Sequence, residues 1–155
     1  MTAPDPRRDR RLVEASRRLR EYLKENRLRA TRQRDVILAA FLDHGSHASV
    51  DELYQVVRSR DPSVGHATVY RTMNLFVTIG IAGERRFHEG VSRYEPALHV
   101  EHHDHLVCET CGTIEEFEDS TIERSQDAVA AARGFQVRYH RLELYGLCRN
   151  CREEP

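Results

Sequence analysis

E-P-A-L-H-V-E-H-H-D-H-L-V-C-E-T-C, residues 95–111, holds four of the chain's nine histidines, two of its four cysteines and several carboxylates. No other segment is so dense in metal-ligand chemistry. His102, His103, Asp104 and His105 fall on a segment that should be extended. Strand side chains alternate, so His103 and His105 face one way and His102 and Asp104 the other. Two neighbouring sites with mixed nitrogen and oxygen donors follow naturally. Imidazole with carboxylate suits Fe(II), Mn(II) or Zn(II), and the oxygen ligands tilt away from a purely structural zinc. A lone histidine is more often a satisfied surface or core residue; three in four positions beside an acid are harder to dismiss.

Two C-x-x-C pairs, Cys108/Cys111 and Cys148/Cys151, account for every cysteine. This spacing lets both thiolates of a pair reach one ion from a tight turn, and two such knuckles complete a tetrahedral zinc site. Such a site is closed, so its role is structural: it clips the C-terminal segment onto the first knuckle and makes metal binding part of folding. Disulfides, which a cytoplasmic chain disfavours, and a redox thiol pair are the competing readings.

The totals set the frame. A chain of 155 residues with 39% hydrophobic and 32% charged residues can build one ordinary domain or two small ones and is not disordered by composition. No apolar run approaches a membrane span, and the first residues carry charge without the apolar stretch of a signal peptide, so a cytoplasmic protein is expected. The net charge of -1 hides a split. Residues 1–86 carry 17 Lys+Arg against 11 Asp+Glu, or +6, and residues 87–155 carry 7 against 14, or -7. A basic half suggests a polyanion partner and an acidic half suggests cations, unless the asymmetry is chance between two solvated surfaces.

Upstream of the metal-rich stretch the pattern is helical. Leu12, Ala15, Leu19, Tyr22 and Leu23 recur at helical spacing over residues 10–26, with arginines on the other face, which either touches phosphates or is merely solvated. Thr31 can cap a second helix with Val36, Ile37, Ala40 and Phe41 inward, ending near Gly45. Ser49-Val-Asp-Glu52 is a capping box opening a third helix through Leu53, Val56 and Val57, stopped at Asp61-Pro62. A fourth follows Gly65 and ends at Gly80, with Val69, Met73, Phe76 and Ile79 as its buried face. That leaves Thr68, Tyr70, Arg71 and Asn74 pointing out. Residues 81–88 and 91–94, around Glu89-Gly90, read as a hairpin.

Short helices, the last with an exposed polar face, and then a hairpin, make a winged helix-turn-helix. Arg can donate in pairs to a guanine edge, Thr and the Tyr ring can pack on thymine methyls, and Asn can pair with adenine. A half-buried Tyr70 and a solvated Arg71 are the plain alternatives. Downstream, residues 105–108 and 113–117 form a hairpin around the first knuckle. Asp119-Ser120 caps a helix over 121–133 closed by Gly134, residues 136–145 read as one long strand, and Gly146 to Cys151 ends the ordered chain.

Gly65-His-Ala-Thr-Val-Tyr-Arg71, Ser49-Val-Asp-Glu-Leu-Tyr54, His102-His-Asp-His-Leu-Val-Cys-Glu-Thr-Cys-Gly112, Ile114-Glu-Glu-Phe117 and Leu144-Tyr-Gly-Leu-Cys148 together resemble the ferric uptake regulator family of repressors, in order and spacing over about Leu28 to Cys151. The resemblance implies an α+β chain: an N-terminal winged helix-turn-helix domain over 1–94 with its basic N-terminal helix, a hinge over 95–101, and a C-terminal α/β dimerisation and metal-binding domain over 102–155. It implies a homodimer that binds a palindromic, A·T-rich operator in double-stranded DNA when metal-loaded, with no membrane and no small organic substrate.

Carried over by position, the resemblance implies a regulatory metal set of His47, Glu95, His103 and His105 with Glu116 as a fifth ligand. It implies a third set of His102, Asp104, Glu123 and His140, and structural Zn(II) on Cys108, Cys111, Cys148 and Cys151. Peroxide-sensing members typically carry aspartates where this chain has Glu95 and Glu116, so the two glutamates resemble the iron-responsive branch and Fe(II) is the expected regulatory ion. Mn(II) and Zn(II) responders have overlapping ligand sets. Thr68, Tyr70, Arg71 and Asn74 would read DNA, with Arg29, Arg32 and Arg34 on the backbone or in the minor groove.

The chain departs from the family in four ways. Arg32 stands where Pro is common, one residue is added between Glu95 and His103, His88 and His99 are extra potential ligands, and the basic extension to about Arg27 is long. Two other classes compete. A zinc hydrolase or deaminase would want H-E-x-x-H, or Pro before the first C-x-x-C, and neither is present. A metal buffer explains the ligands but not the exposed Thr68/Tyr70/Arg71 face. The chain is therefore expected not to be an enzyme.

Overall fold

The structure is a computed structural model that describes residues 6–45, 47–87, 90–98 and 102–153; His88, His99 and positions 100 and 101 of the expected hinge lie outside the described residues. The chain forms two compact units, Met1–Val100 and Glu101–Pro155.

The first unit opens with α1 (Pro6–Glu25), α2 (Arg32–His44), β1 (Ala48–Ser49), α3 (Val50–Arg60) and α4 (His66–Thr78), followed by β2 (Ala82–Arg86) and β3 (Ser92–Pro96). On α1, Ala15, Leu19 and Leu23 stack one helical turn apart and are buried in one core with Ile37, Leu38 and Phe41 of α2. The opposite face largely pairs with itself: Glu14 accepts from Arg17 Nη2 at 2.7 Å and from Arg18 Nε at 2.9 Å. Those two guanidinium donors hold the Glu14 carboxyl down at about 2. The helix ends in a Schellman turn, Leu28 N–H to Leu23 carbonyl and Arg27 N–H to Lys24 carbonyl, which puts Arg27 at φ +54° where glycine is usual.

Thr31 caps α2, and the Ser49/Glu52 capping box opens α3 with both bonds made, Glu52 N–H to Ser49 Oγ at 3.2 Å and Ser49 N–H to Glu52 Oε2 at 2.7 Å. On α4, Val69, Met73 and Phe76 are buried as expected; Thr72 joins them and Ile79 is only half-buried. Phe76 meets Phe41 with ring centroids 6.3 Å apart, and each such ring stabilises by about 1.5–3 kcal/mol on burial. Gly80, at φ +71°, closes α4 with Ile81 N–H bonded to Phe76 carbonyl. β2 and β3 form the antiparallel wing, and β1 pairs on the far side of β3, Ala48 with Tyr94. Periodicity could not show β1, because a two-residue strand has none. Glu95 and Pro96, expected in the hinge, are strand residues: Glu95 pairs with Gly83 and Pro96 with Ala82.

The second unit is built on β4 (Asp104–Cys108), with β5 (Ile114–Phe117) antiparallel on one side and β6 (Glu143–Gly146) parallel on the other; α5 (Ser120–Ala132) makes the crossover and α6 (Arg149–Glu153) follows. Asp119 Oδ1 caps α5 through Thr121 N–H and Ile122 N–H, and Gly134 closes it in a second Schellman turn. Two expectations change here. The long strand over 136–145 shrinks to Glu143–Gly146, because β4 offers a ladder only from His105 to Cys108 and a strand without a partner leaves its amides unpaired. The chain also does not stop being ordered at Cys151, since α6 runs on to Glu153. No described residue of α5 is buried, and Val129, Phe135, Val137, Tyr139 and Leu147 are more than 45% exposed.

Candidate metal centres and nucleic-acid interface

The four cysteines come together in the second unit. Cys108 ends β4, Cys111 follows in the turn before β5, and Cys148 and Cys151 flank and enter α6. Their sulfurs all lie within 4.8 Å of one another, and Cys111 Sγ and Cys148 Sγ are 3.7 Å apart. A tetrahedron with Zn–S bonds of about 2.3 Å has an edge of about 3.8 Å, so the set fits zinc. The backbone N–H groups of Cys111 and Cys148, aimed at Cys108, pull its thiol down to about 6. Cys151, sharing its protons with the Cys111 and Cys148 sulfurs, is pushed up to about 12. A cation at the centre is what relieves four sulfurs gathered this closely.

A second cluster gathers around Asp104, at the opposite end of β4 from Cys108. His102 Nε2 sits 3.3 Å from Asp104 Oδ1 and 3.5 Å from Glu123 Oε1, while His140 Nε2 is 3.4 Å from Glu123 Oε1 and 3.8 Å from Asp104 Oδ1. Both Asp104 oxygens, Glu123 Oε1 and His140 Nε2 are buried without a hydrogen bond among the described residues. Unbonded buried carboxylate oxygens are costly, and a divalent ion satisfies all four groups at once.

The five residues of the expected regulatory set divide between the units. In the first, His47 precedes β1 in the left-handed region at φ +59°, buried, with its ring edge-on to Phe87 at 5.6 Å between centroids. Arg93 Nη1 donates to the His47 carbonyl at 3.0 Å and to Glu52 Oε2 at 3.2 Å, so one guanidinium ties this residue to the head of α3. Glu95 is buried on β3: Oε1 accepts from Arg85 Nε at 2.7 Å, and Oε2 lies 3.8 Å from His47 Nδ1. In the second unit, His105 and Glu116 are ladder partners on β4 and β5. His103 Nε2 is 3.7 Å from Glu116 Oε1, and its ring centroid is 5.0 Å from that of His105. Each half offers mixed imidazole and carboxylate donors of the kind that suits a divalent transition metal.

On α4, Tyr70 is 51% exposed, Arg71 and Asn74 are exposed and Thr68 is half-buried, giving one polar face over the buried Val69, Thr72 and Met73. Arg29 and Arg32 are exposed, whereas Arg34 is spent internally, its Nη1 donating to the Arg29 carbonyl. Sequence reasoning passed over Arg85, Arg93 and His66. The last sits at the start of α4, with Nε2 2.7 Å from Asp51 Oδ1 and its ring on Tyr54. The signal for Arg85 and Arg93 is their place beside Glu95 in the hairpin, which only the strand register turns into contacts.

The profile of the ferric uptake regulator family matches residues 25–145. The chain belongs to this family. It is 36% identical over 139 residues to a ferric uptake regulation protein of Campylobacter jejuni, covering 88% of each chain. It is 33% identical over 132 residues to the peroxide-responsive repressor of Staphylococcus epidermidis, covering 85% of this chain and 87% of that one. The structure is similar to that of the Helicobacter pylori ferric uptake regulator, described as having three functional metal binding sites, with a TM-score of 0.85 and 30% identity over 92% of this chain and 95% of that one. Like the ferric uptake regulators, the chain has an N-terminal winged-helix domain followed by a smaller domain around a mixed sheet. It is a metal-responsive regulator of that family, which consists of transcription regulators rather than enzymes. No helix among the described residues is long and apolar enough to cross a membrane.

Proposed function

We propose that the chain is a homodimeric repressor that binds a palindromic, A·T-rich operator when a divalent metal is present, with Fe(II) control of iron-uptake genes as its role. The observation that carries this reading lies within the first unit. A buried His47/Glu95 pair is tied through Arg93 to Glu52 at the capping box of α3, one helix before the exposed Tyr70/Arg71 face of α4. An ion that fixes this pair biases the reading helices directly.

The first unit, Met1–Val100, would read DNA, and the second, Glu101–Pro155, would dimerise. His47, Glu95, His103, His105 and Glu116 would serve one exchangeable ion, which when bound supplies fixed positive charge to carboxylates on both units. Cys108, Cys111, Cys148 and Cys151 would hold structural zinc, and His102, Asp104, Glu123 and His140 a further ion that stabilises the second unit. The exposed apolar residues of that unit, Val129, Phe135, Val137 and Tyr139, supply the surface a second copy would cover. Tyr70, Arg71, Thr68 and Asn74 would enter the major groove, with Arg29 and Arg32 on phosphates, so affinity should fall steeply with salt. Glu95 and Glu116 favour iron within the family. A manganese, zinc or peroxide response keeps the same machinery with a different ion.

The test is anaerobic fluorescence anisotropy of zinc-loaded protein on DNA from upstream of its own gene, titrated with Fe(II), Mn(II) and Zn(II) and reversed with chelator. His103→Ala should weaken metal-induced binding by at least about tenfold while the four-cysteine zinc stays bound. Normal operator binding by that variant across the titration sinks the regulatory ligand set.

A further inference from the structure

Glu95 is ligated on one side already. Its Oε1 is held by Arg85 Nε at 2.7 Å in a charge-assisted bond, and only Oε2 is turned to His47 Nδ1, at 3.8 Å. The strand register produces this arrangement. Gly83 on β2 is the ladder partner of Glu95 on β3, and Arg85 is two residues further along β2. Gly83 places no side chain beside Glu95, and a methyl added there would make only ordinary contacts with Glu95 Cγ and Oε1 at 3.5 Å. Arg85 then reaches the carboxylate along the cross-strand diagonal. The Arg85 side chain is 24% exposed and that of Glu95 9%, so the pair is poorly screened and well fixed.

A carboxylate with both oxygens available can clasp an ion in bidentate fashion, which suits larger, oxygen-seeking ions of high coordination number. A carboxylate with one oxygen committed offers a single donor, which suits smaller ions in four- or five-coordinate shells. Two donors at about 2.1 Å from one ion lie about 3.0–3.5 Å apart, so Oε2 and Nδ1 need only a small approach. We infer that Arg85 is a specificity-determining residue of the exchangeable metal site: by holding Oε1 it restricts Glu95 to one-oxygen ligation and so disfavours Mn(II) relative to Co(II), Zn(II) and Fe(II). This rests on the reading of His47 and Glu95 as ligands. Arg85 itself touches no ion and acts through Glu95.

Removing the Arg85 charge also strengthens the attraction for every divalent ion alike, so the ratio of affinities isolates the number of oxygens used. Full-length protein with zinc on its cysteines, carrying Glu123→Ala and His140→Ala to remove the neighbouring cluster, is titrated with Co(II) and Mn(II) in competition. Arg85→Met and Arg85→Ala remove the donor, thermal melting identifies which of them is folded, and Arg85→Gln keeps a donor without the charge.

The expected result for the donor-less variant is a shift of the Co(II)/Mn(II) affinity ratio toward Mn(II) by about tenfold, the scale of groups that orient metal ligands. A weaker visible Co(II) band should accompany it, as the coordination number rises. Arg85→Gln should keep the parental ratio and band. If Arg85→Met or Arg85→Ala moves both affinities equally and leaves the band unchanged, the role of Arg85 is overturned while the metal site stands. If His47→Ala and Glu95→Ala leave both affinities unchanged, the underlying reading of the ligands fails, and this inference with it.

Discussion

The two units solve the same problem differently. The first has a conventional interior: residues from α1, α2, α3, α4 and the wing converge on Phe41, Phe76 and Tyr94, all buried. The second buries little of its own. None of the described residues of α5 is buried, while Phe135 is 73% exposed and Tyr139 84%. A unit of this size with its apolar residues outside needs other support, and it contains two clusters of side chains that could hold metal ions and a set of exposed apolar residues. Packing holds one half of the molecule; on the proposed reading, ligation and association hold the other.

This contrast can be broken most sharply at Cys111→Ser, or by stripping zinc with a chelator. Structural zinc sites contribute apparent binding free energies of about 10–16 kcal/mol, so the second unit should melt and the dimer dissociate. Far-UV circular dichroism should retain the helical signal of α1–α4. Unchanged zinc content and melting in the variant defeats the structural role. Next in size is Phe41→Ala, which opens a cavity beside Phe76 and should cost the first unit about 3–5 kcal/mol while the zinc content of the second stays constant.

Acid should separate the units in order. The thiolates that hold zinc take up protons in competition with the ion as pH falls, and the ion is released. The first unit responds later. Glu14 is lowered from 4.5 to about 2 by its bonds from Arg17 and Arg18, so its contribution is complete above 4.5 and disappears as pH falls toward 2. Zinc release, followed with a colorimetric chelator, should therefore precede loss of α1–α4 ellipticity; simultaneous loss contradicts the division. The smallest effect is expected at Arg27→Gly, which relieves a left-handed residue at the end of α1 and should raise the stability of the first unit by about 1 kcal/mol, read by urea denaturation.

Local chemistry made much of this legible. Caps and helix stops are encoded within a few residues, so Thr31, the Ser49/Glu52 box, Gly80 and Gly134 mark their helix ends directly. The C-x-x-C spacing likewise names its own partner atoms. What stayed hidden depends on register between distant segments. That Arg85 meets Glu95, that Arg93 reaches the His47 carbonyl, and that β1 joins the wing follow from how β2 and β3 align, which composition and periodicity do not carry. The overlong strand at 136–145 has the same origin: β propensity says a segment can pair, and only the length of β4 says how much of it does.

The strand order β5-β4-β6 also carries a timetable. The sheet of the second unit places its last strand beside its first, and both cysteines of the closing knuckle lie beyond that last strand. During synthesis the first unit has every core residue it needs once Leu98 has emerged from the ribosome. Half of the zinc ligands at that moment do not yet exist. A nascent chain can therefore complete the core of its first unit before its second knuckle exists. Emergence of the second knuckle, rather than folding of the first unit, is the step at which all four cysteines are first available to one ion.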